Sequence, residues 1–363
     1  MQRNFAVFIL ISLISAPIFP EKLLLLSDAP YVLDNGEWKN YFRSKSWKNE
    51  EILEADKDHL FIYLNSYRIP KNMNWNNPSW GLWNIRSNTF LPITDIPSNL
   101  IPIRKIGDRI FLKNQNNTSF FVLDEGEGKK PELIRSSIKV RGWFPRTDGS
   151  IVYILEGEDC EQFMGARQGT LWSICILGSD FETIQNVISV EPVFNPMLTG
   201  RSDNYIVFWQ KNLDEKMWSL MSVDLNKGIV KLLYKSTRED LNQGNSPKWL
   251  SWIQRNWVVY EKNRNDEQNA GSENLNRSFI VHNLNSDQKK EILLERKGKI
   301  LAEPGNIGSR KFQYQPFLII MDYSGDNNPI KVIDIEELKI VFETIFPLEN
   351  TLSGLNEQAV FYP

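Results

Sequence analysis

The chain has 363 residues, 41% of them hydrophobic, with 12 Trp and 20 Phe, which is ample for a large core and excludes a disordered chain. A formal net charge of −3 and a pI near 5.7 give no overall attraction to polyanions, so nucleic acid is not an expected partner. The length fits two ordinary domains or one large all-β domain.

At the N-terminus, Arg3 precedes the uncharged run Phe5–Ile14 and the small-residue segment Ser15-Ala16-Pro17. A basic residue, a short apolar stretch and small residues are the parts of a secretory signal peptide. The run is shorter than the roughly 20 apolar residues that span a bilayer. The expectation is a signal over residues 1–20, a single domain over 21–363, no transmembrane segment after cleavage, and a periplasmic or secreted protein. Only two cysteines exist, Cys160 and Cys175, fifteen positions apart around a loop rich in Gly and polar residues. In an exported protein they can close a disulfide worth about 3 kcal/mol on the chain-entropy model; two buried thiols are the alternative.

Two strands are expected in Lys22–Leu33, followed by the hairpin-type dipeptide Asn35-Gly36, and a short helix fits best at Asn49–Lys57. From there a recurrence sets in. His59–Asn65 is followed by Gly81–Arg86, Arg109–Leu112 by Ser119–Asp124, and Ser150–Leu155 by Thr170–Leu177. Asn204–Trp209 is followed by Met217–Leu225, Asn256–Glu261 by Arg277–Leu284, and Pro316–Met321 by Pro329–Ile335. A third apolar segment trails each pair, and a turn-rich strand leads several of them, as in Val140–Pro145 and Ser246–Trp249. Trp, Phe, Tyr, Val and Ile crowd these segments, as a pleated, half-buried surface requires. Four short strands in a unit that repeats about every 40–60 residues are the signature of a β-propeller.

Six units fit between about Ser46 and Phe346. Two strands from Asn350–Tyr362 and two from Lys22–Leu33 would then complete a seventh. The expected fold is an all-β propeller of seven four-stranded blades, with six as the alternative, its ring closed by N- and C-terminal strands so that no sheet edge is left to template aggregation. Ser246-Pro247-Lys248-Trp249 with Trp257-Val258-Val259-Tyr260, Glu191-Pro192-Val193-Phe194 with Ile206-Val207-Phe208, and Trp143-Phe144-Pro145 with Asp148-Gly149-Ser150-Ile151-Val152-Tyr153 resemble the TolB-type propeller repeat. That resemblance implies a propeller and a binding or assembly role in the bacterial cell envelope.

No catalytic residue is nominated. The chain carries no Gly-x-Ser-x-Gly elbow, P-loop or His-Glu-x-x-His, and its two histidines, His59 and His282, have no zinc-like spacing to the cysteines. Asp322–Asn328 offers oxygen ligands, but a turn between strands needs no metal. No metal or cofactor is expected. Asn263–Asn276 is too polar to bury a core and reads as a solvated loop. Asn72–Trp83 sets Trp75, Trp80 and Trp83 among asparagines, and flat apolar faces beside amides suit capture of a sugar or peptide. Trp75 and Trp80 are therefore the candidate ligand-binding residues, with packing of Trp80 and Trp83 into the core as the alternative. The leading function is a non-enzymatic binding or assembly module of the envelope acting through propeller loops. The alternative is a carbohydrate- or small-ligand-binding propeller, possibly a glycoside hydrolase, so the partners in view are an envelope protein or a glycan.

Overall fold

The computed structural model describes residues 22–26, 30–40, 52–56, 58–64, 79–93, 96–126, 128–136, 140–156, 172–190, 194–212, 217–235, 251–262, 277–294, 298–300, 317–322, 328–346 and 358–362. These form seven four-stranded antiparallel sheets, and in every sheet each strand pairs with its neighbour in sequence apart from one terminal strand. Sheet 1 joins β1 (Lys22–Leu26), β2 (Pro30–Asp34) and β3 (Glu37–Asn40) to β28 (Gln358–Tyr362). Sheet 2 holds β4 (Ile52–Glu54), β5 (His59–Leu64), β6 (Ser79–Asn84) and β7 (Thr89–Ile93). Sheet 3 holds β8 (Leu100–Ile106), β9 (Arg109–Asn114), β10 (Ser119–Asp124) and β11 (Glu132–Ser136). Sheet 4 holds β12 (Val140–Pro145), β13 (Ile151–Glu156), β14 (Trp172–Leu177) and β15 (Ile184–Val190). Sheet 5 holds β16 (Phe194–Arg201), β17 (Tyr205–Asn212), β18 (Met217–Asp224) and β19 (Ile229–Lys235). Sheet 6 holds β20 (Ser251–Gln254), β21 (Trp257–Lys262), β22 (Arg277–Asn283) and β23 (Lys289–Leu294). Sheet 7 holds β24 (Gly298–Ile300), β25 (Phe317–Asp322), β26 (Asn328–Asp334) and β27 (Lys339–Phe346).

The core lies between sheets rather than inside any one of them. Leu82 and Ile93 of sheet 2 pack with Ile110 and Leu123 of sheet 3, and Phe111 and Phe120 of sheet 3 pack with Trp143 and Tyr153 of sheet 4. Ile174 and Ile176 meet Ile206 and Val223 between sheets 4 and 5, while Trp209 and Leu220 meet Val258 and Tyr260 between sheets 5 and 6. Phe279 and Val281 meet Leu318 and Ile335 between sheets 6 and 7, and Val332 and Phe346 of sheet 7 meet Leu23 and Leu25 of sheet 1. Sheet 1 reaches sheet 2 through the buried Lys22, whose ammonium donates to the carbonyls of Ile85 (3.1 Å) and Arg86 (2.9 Å). Each sheet thus meets the one before it and the one after it, the arrangement of an all-β, propeller-like architecture. The second and third strands supply most of the buried side chains. The fourth strands carry the exposed Leu91, Leu133, Ile229, Leu232, Ile340 and Ile345, as an outer edge does.

Sheet 1 departs from the expected two-plus-two composition. Three strands come from the N-terminal side and one, β28, from the C-terminal side. β3 lies where the polar sequence Glu37–Asn40 carries no apolar pattern, and it is held by its register with β2 and by the Trp38 indole donating to the Ile345 carbonyl at 2.9 Å. The helix expected over Asn49–Lys57 is also corrected, because Ile52–Glu54 is the strand β4, paired with Leu60–Ile62. With only three residues, β4 is too short to show a period of two. β8 and β24 had no counterpart among the expected strands. In β8 the register shifts between Pro102 and Arg104, a bulge at Ile103.

In sheets 2, 5, 6 and 7 the last turn opens on an Asn or Asp that an apolar residue follows. Asn84, Asp224, Asn283 and Asp334 each accept, through Oδ1, backbone N–H groups two or three residues ahead, at 2.8–3.1 Å. Four positions after each stands a residue with positive φ: Asn88, Gly228, Asp287 and Leu338. The apolar residue directly after the Asx residue is buried in three of the four turns, as Ile85, Leu225 and Ile335. Backbone bonds at matching positions tie this turn to the first turn of the same sheet: Glu125 N–H to Asp108 (2.7 Å), Leu225 to Asn204 (2.8 Å) and Leu284 to Asn256 (2.7 Å).

β28 pairs with β1 over five positions, Lys22↔Tyr362 to Leu26↔Gln358, so a chain ending at residue 357 leaves the buried strand β1 with a bare edge. That truncation is expected to lower the melting temperature by more than about 5 °C and to produce concentration-dependent aggregation, read by scanning calorimetry and light scattering. An unchanged melt would show that β28 adds nothing to closure.

Candidate functional site: a polar cleft between sheets 5 and 6

Sheets 5 and 6 face one another over a mixed aromatic core: Tyr205, Trp209, Trp218, Leu220, Tyr260 and their neighbours. Towards the Asx turns this core gives way to a cleft of about 290 Å³ lined by Tyr205, Ser222, Asp224, Lys227, Ile229, Lys231, Leu284 and Asn285. The sheet 5 lining comes from two adjacent cross-strand rows. Tyr205, Asp224 and Ile229 stand in one, and Val207, Ser222 and Lys231 in the next.

The units themselves show what is unusual here. On the third strand, two residues before the turn-opening Asn or Asp, the residue facing the following sheet is Leu82 in sheet 2, Val122 in sheet 3, Val281 in sheet 6 and Val332 in sheet 7. Each is a buried member of an inter-sheet cluster. In sheet 5 that position is Ser222, 3% exposed. Its side chain lines the cleft, where an apolar residue would close the interface as in the other units. One residue nearer the turn, on the opposite face, stand Trp83, Leu123, Val223 and Ile333 in sheets 2, 3, 5 and 7, but His282 in sheet 6. Ser222 faces sheet 6 and His282 faces sheet 5, so both polar departures from the repeat fall on the same interface.

His282 is fully buried and its Nε2 lies 2.6 Å from Asp287 Oδ1; Lys231 Nζ lies at 2.6 Å from the same oxygen. Hydrogen bonds from Lys231 first, and then from His282, hold the Asp287 carboxyl down at about 2. An ionised acceptor requires Nε2 to carry the proton, which leaves Nδ1 as a bare acceptor, buried and without a partner. Burial is the largest influence on the imidazole and lowers its pKa. Beside it, burial pushes the Tyr260 hydroxyl up to about 12, and the Tyr205 hydroxyl, raised by burial and by Asp224, donates to Asn285 Oδ1 at 2.5 Å. No hydrogen bond joins Ser222 to His282, so they form no nucleophile–base pair. The arrangement offers fixed donors and acceptors around a concavity, which is the chemistry of binding.

Among the other residues singled out by sequence, Trp80 lies in β6, 7% exposed, packed against Tyr63 at 5.2 Å between ring centroids and inside the core between sheets 2 and 3. Trp75, the Asn263–Asn276 loop and Cys160 lie outside the described residues. Cys175 is buried in β14 and is disulfide-bonded. Among the described residues no group of three or more His, Cys, Asp or Glu is placed to hold a metal ion, and no helix is long and apolar enough to cross a membrane. Sequence inspection passed over Ser222 because a serine in a strand carries no signal alone. Alignment of the units on their Asx turns is what exposes it.

No family model matches the chain, and no curated protein matches it. Among solved structures it is similar to an oligogalacturonate lyase from Vibrio parahaemolyticus, at 10% identity and a TM-score of 0.45, over 82% of this chain and 79% of that one. It is also similar to a protein from Lactobacillus plantarum (10% identity, TM-score 0.43, 95% and 100% covered). A third is the Synechocystis apocarotenoid oxygenase (9%, TM-score 0.39, 94% and 92% covered). These scores lie under 0.5, and the architecture described above rests on the sheet topology and the inter-sheet packing.

The two histidines act on stability with opposite signs. His282 has a folded pKa below its unfolded value, so the unfolded chain takes up the proton first and stability is lost as pH falls below about 6.5. His59, bonded to Asp56 at 2.8 Å, has a raised pKa. Its contribution is present below about 6.5 and is lost as pH rises through the folded value. Relative to wild type, the melting temperature of His282→Leu is expected to climb as pH goes from 7 to 5, and that of His59→Gln to fall. Parallel curves for all three proteins would contradict these assignments.

Proposed function

We propose that the seven sheets are the blades of one TolB-type propeller ring, and that the protein is an exported, non-enzymatic binding or assembly module of a bacterial cell envelope. The observation that carries this reading is the hydrogen-bonded face made by the turns of sheets 3 to 6. Arg146 donates to Asn226 Oδ1 (3.3 Å), Asn226 Nδ2 to Asn204 Oδ1 (3.2 Å), and Asn204 Nδ2 to Asn256 Oδ1 (3.5 Å), a run of side chains crossing three sheets. Beneath it Asp203 accepts from the buried Arg104 of sheet 3 at 3.0 Å and from the Thr147 N–H of sheet 4 at 3.2 Å. Arg201 donates to the Trp143 carbonyl at 3.1 Å while lying over the Phe144 ring. Polar groups fixed in this way present a surface whose ordering entropy is already spent, which favours association.

Export is supported by the Phe5–Ile14 run and by the disulfide at Cys175, because disulfides persist in oxidising compartments. A second reading, small-ligand or carbohydrate binding, is favoured by the cleft between sheets 5 and 6.

Crosslinking in cells, followed by capture of a tagged protein from the envelope fraction, is expected to enrich one defined partner. Asn226→Lys with Asn256→Lys should lose it without a change in melting temperature. Enrichment of nothing above the untagged control would sink the assembly reading. Independently, non-reducing peptide mapping of the exported protein is expected to give a Cys160–Cys175 cross-linked peptide and an N-terminus close to residue 21. Two titratable thiols and an intact Met1 would overturn export.

A further inference from the structure

We propose that the cleft between sheets 5 and 6 is a binding site for one neutral saccharide unit. The proposal rests on the small-ligand reading above and deepens it with a location and a ligand class. Four observations converge. First, the cavity of about 290 Å³ sits at the small end of the ~300–1,000 Å³ typical of ligand sites, which suits a single ring rather than a polymer or a helix. Second, Ser222 is 3% exposed and lines the cavity, so a hydroxyl stands on its wall where other units place Leu82, Val122, Val281 or Val332.

Third, the charges at the site are compensated locally. Lys231 is bonded to Asp287 at 2.6 Å, and Lys227 stands 3.8 Å from Asp224. Among the described lining residues each ammonium thus has a carboxylate within 4 Å, which favours a neutral ligand over an anion or a cation. Fourth, the polar atoms that remain are those that read hydroxyl groups. Asn285 Oδ1 accepts from Tyr205, and among the described residues the amide Nδ2 has no acceptor. Asp224 Oδ1 is engaged by its own turn while Oδ2 has only Lys227, beyond hydrogen-bond distance. A donor amide, a carboxylate acceptor and the Tyr205 and Ser222 hydroxyls stand beside the apolar Leu284 and the exposed Ile229. That is the combination that meets the equatorial hydroxyls and the C–H face of a pyranose.

The test uses the intact protein and ligand-observed saturation-transfer NMR with the methyl glycosides of glucose, galactose and N-acetylglucosamine, with glycine and inorganic phosphate as charged probes. At least one glycoside is expected to show saturation transfer and millimolar or tighter binding. Ser222→Val restores the residue type that other units carry there. It should keep or raise the melting temperature and reduce the glycoside signal at least tenfold, and Tyr205→Phe should reduce it as well. Transfer to no glycoside, transfer to glycine or phosphate alone, or glycoside binding equal in wild type and Ser222→Val would each overturn the proposal. Partner capture is scored on Ser222→Val in parallel. Its retention alongside lost glycoside binding separates this site from the turn face, and glycoside binding by a wild-type protein that captures no partner would count against the assembly reading alone.

Discussion

A β-sheet whose central strands are apolar on both faces cannot be stable alone, because each face must be covered by something of the same width and twist. Here every covering surface is another sheet of the same kind. Phe111 and Phe120 need Trp143 and Tyr153, and Ile206 and Phe208 need Ile174 and Ile176. This mutual burial sets the order of sheets in space by their order in sequence. It concentrates buried side chains on the second and third strands and leaves much of the fourth strands in water. It also explains why substitutions act at interfaces: a residue on the third strand belongs energetically to the neighbouring sheet as much as to its own.

Much of this was legible in the sequence. Strands β10 and β12 lie where apolar runs bounded by turn residues place them, residue for residue, because β-branched and aromatic residues between turn residues leave few alternatives. The failures have physical causes. Ile52–Glu54 and Gly298–Ile300 are three-residue strands, too short for any period to emerge from their composition. Glu37–Asn40 is polar because it is an outer strand of sheet 1, held by backbone pairing that leaves little trace in residue type. Trp80 illustrates the opposite error, in which a cluster of aromatic and amide residues reads as a surface platform although register with Tyr63 turns the indole inward.

The cleft was illegible for a different reason. Ser222 and His282 are ordinary residues in ordinary strands, sixty positions apart, and only the pairing of sheets brings them to one interface. What marks them is departure from what the other units do at equivalent positions. In a protein built from one repeated unit, the repeat is its own control. Packing demands an apolar residue at these sites wherever nothing else is required, so a buried hydroxyl and a buried imidazole on facing walls record a requirement other than packing.

The pairing of β1 with β28 also has a meaning in time. Residues 22–26 leave the ribosome, or cross a membrane, more than three hundred residues before the strand that completes their sheet. Throughout that interval the apolar segment Leu23–Leu26 stands beside an empty hydrogen-bonding row. Sheets 2 to 7 can form as their strands arrive, each from local antiparallel hairpins, but the last step waits on a contact of the longest possible loop. Folding of this chain is therefore rapid within each unit and slow at the seam. The seam is where a holding chaperone would act, and where a delay in translation would do most harm.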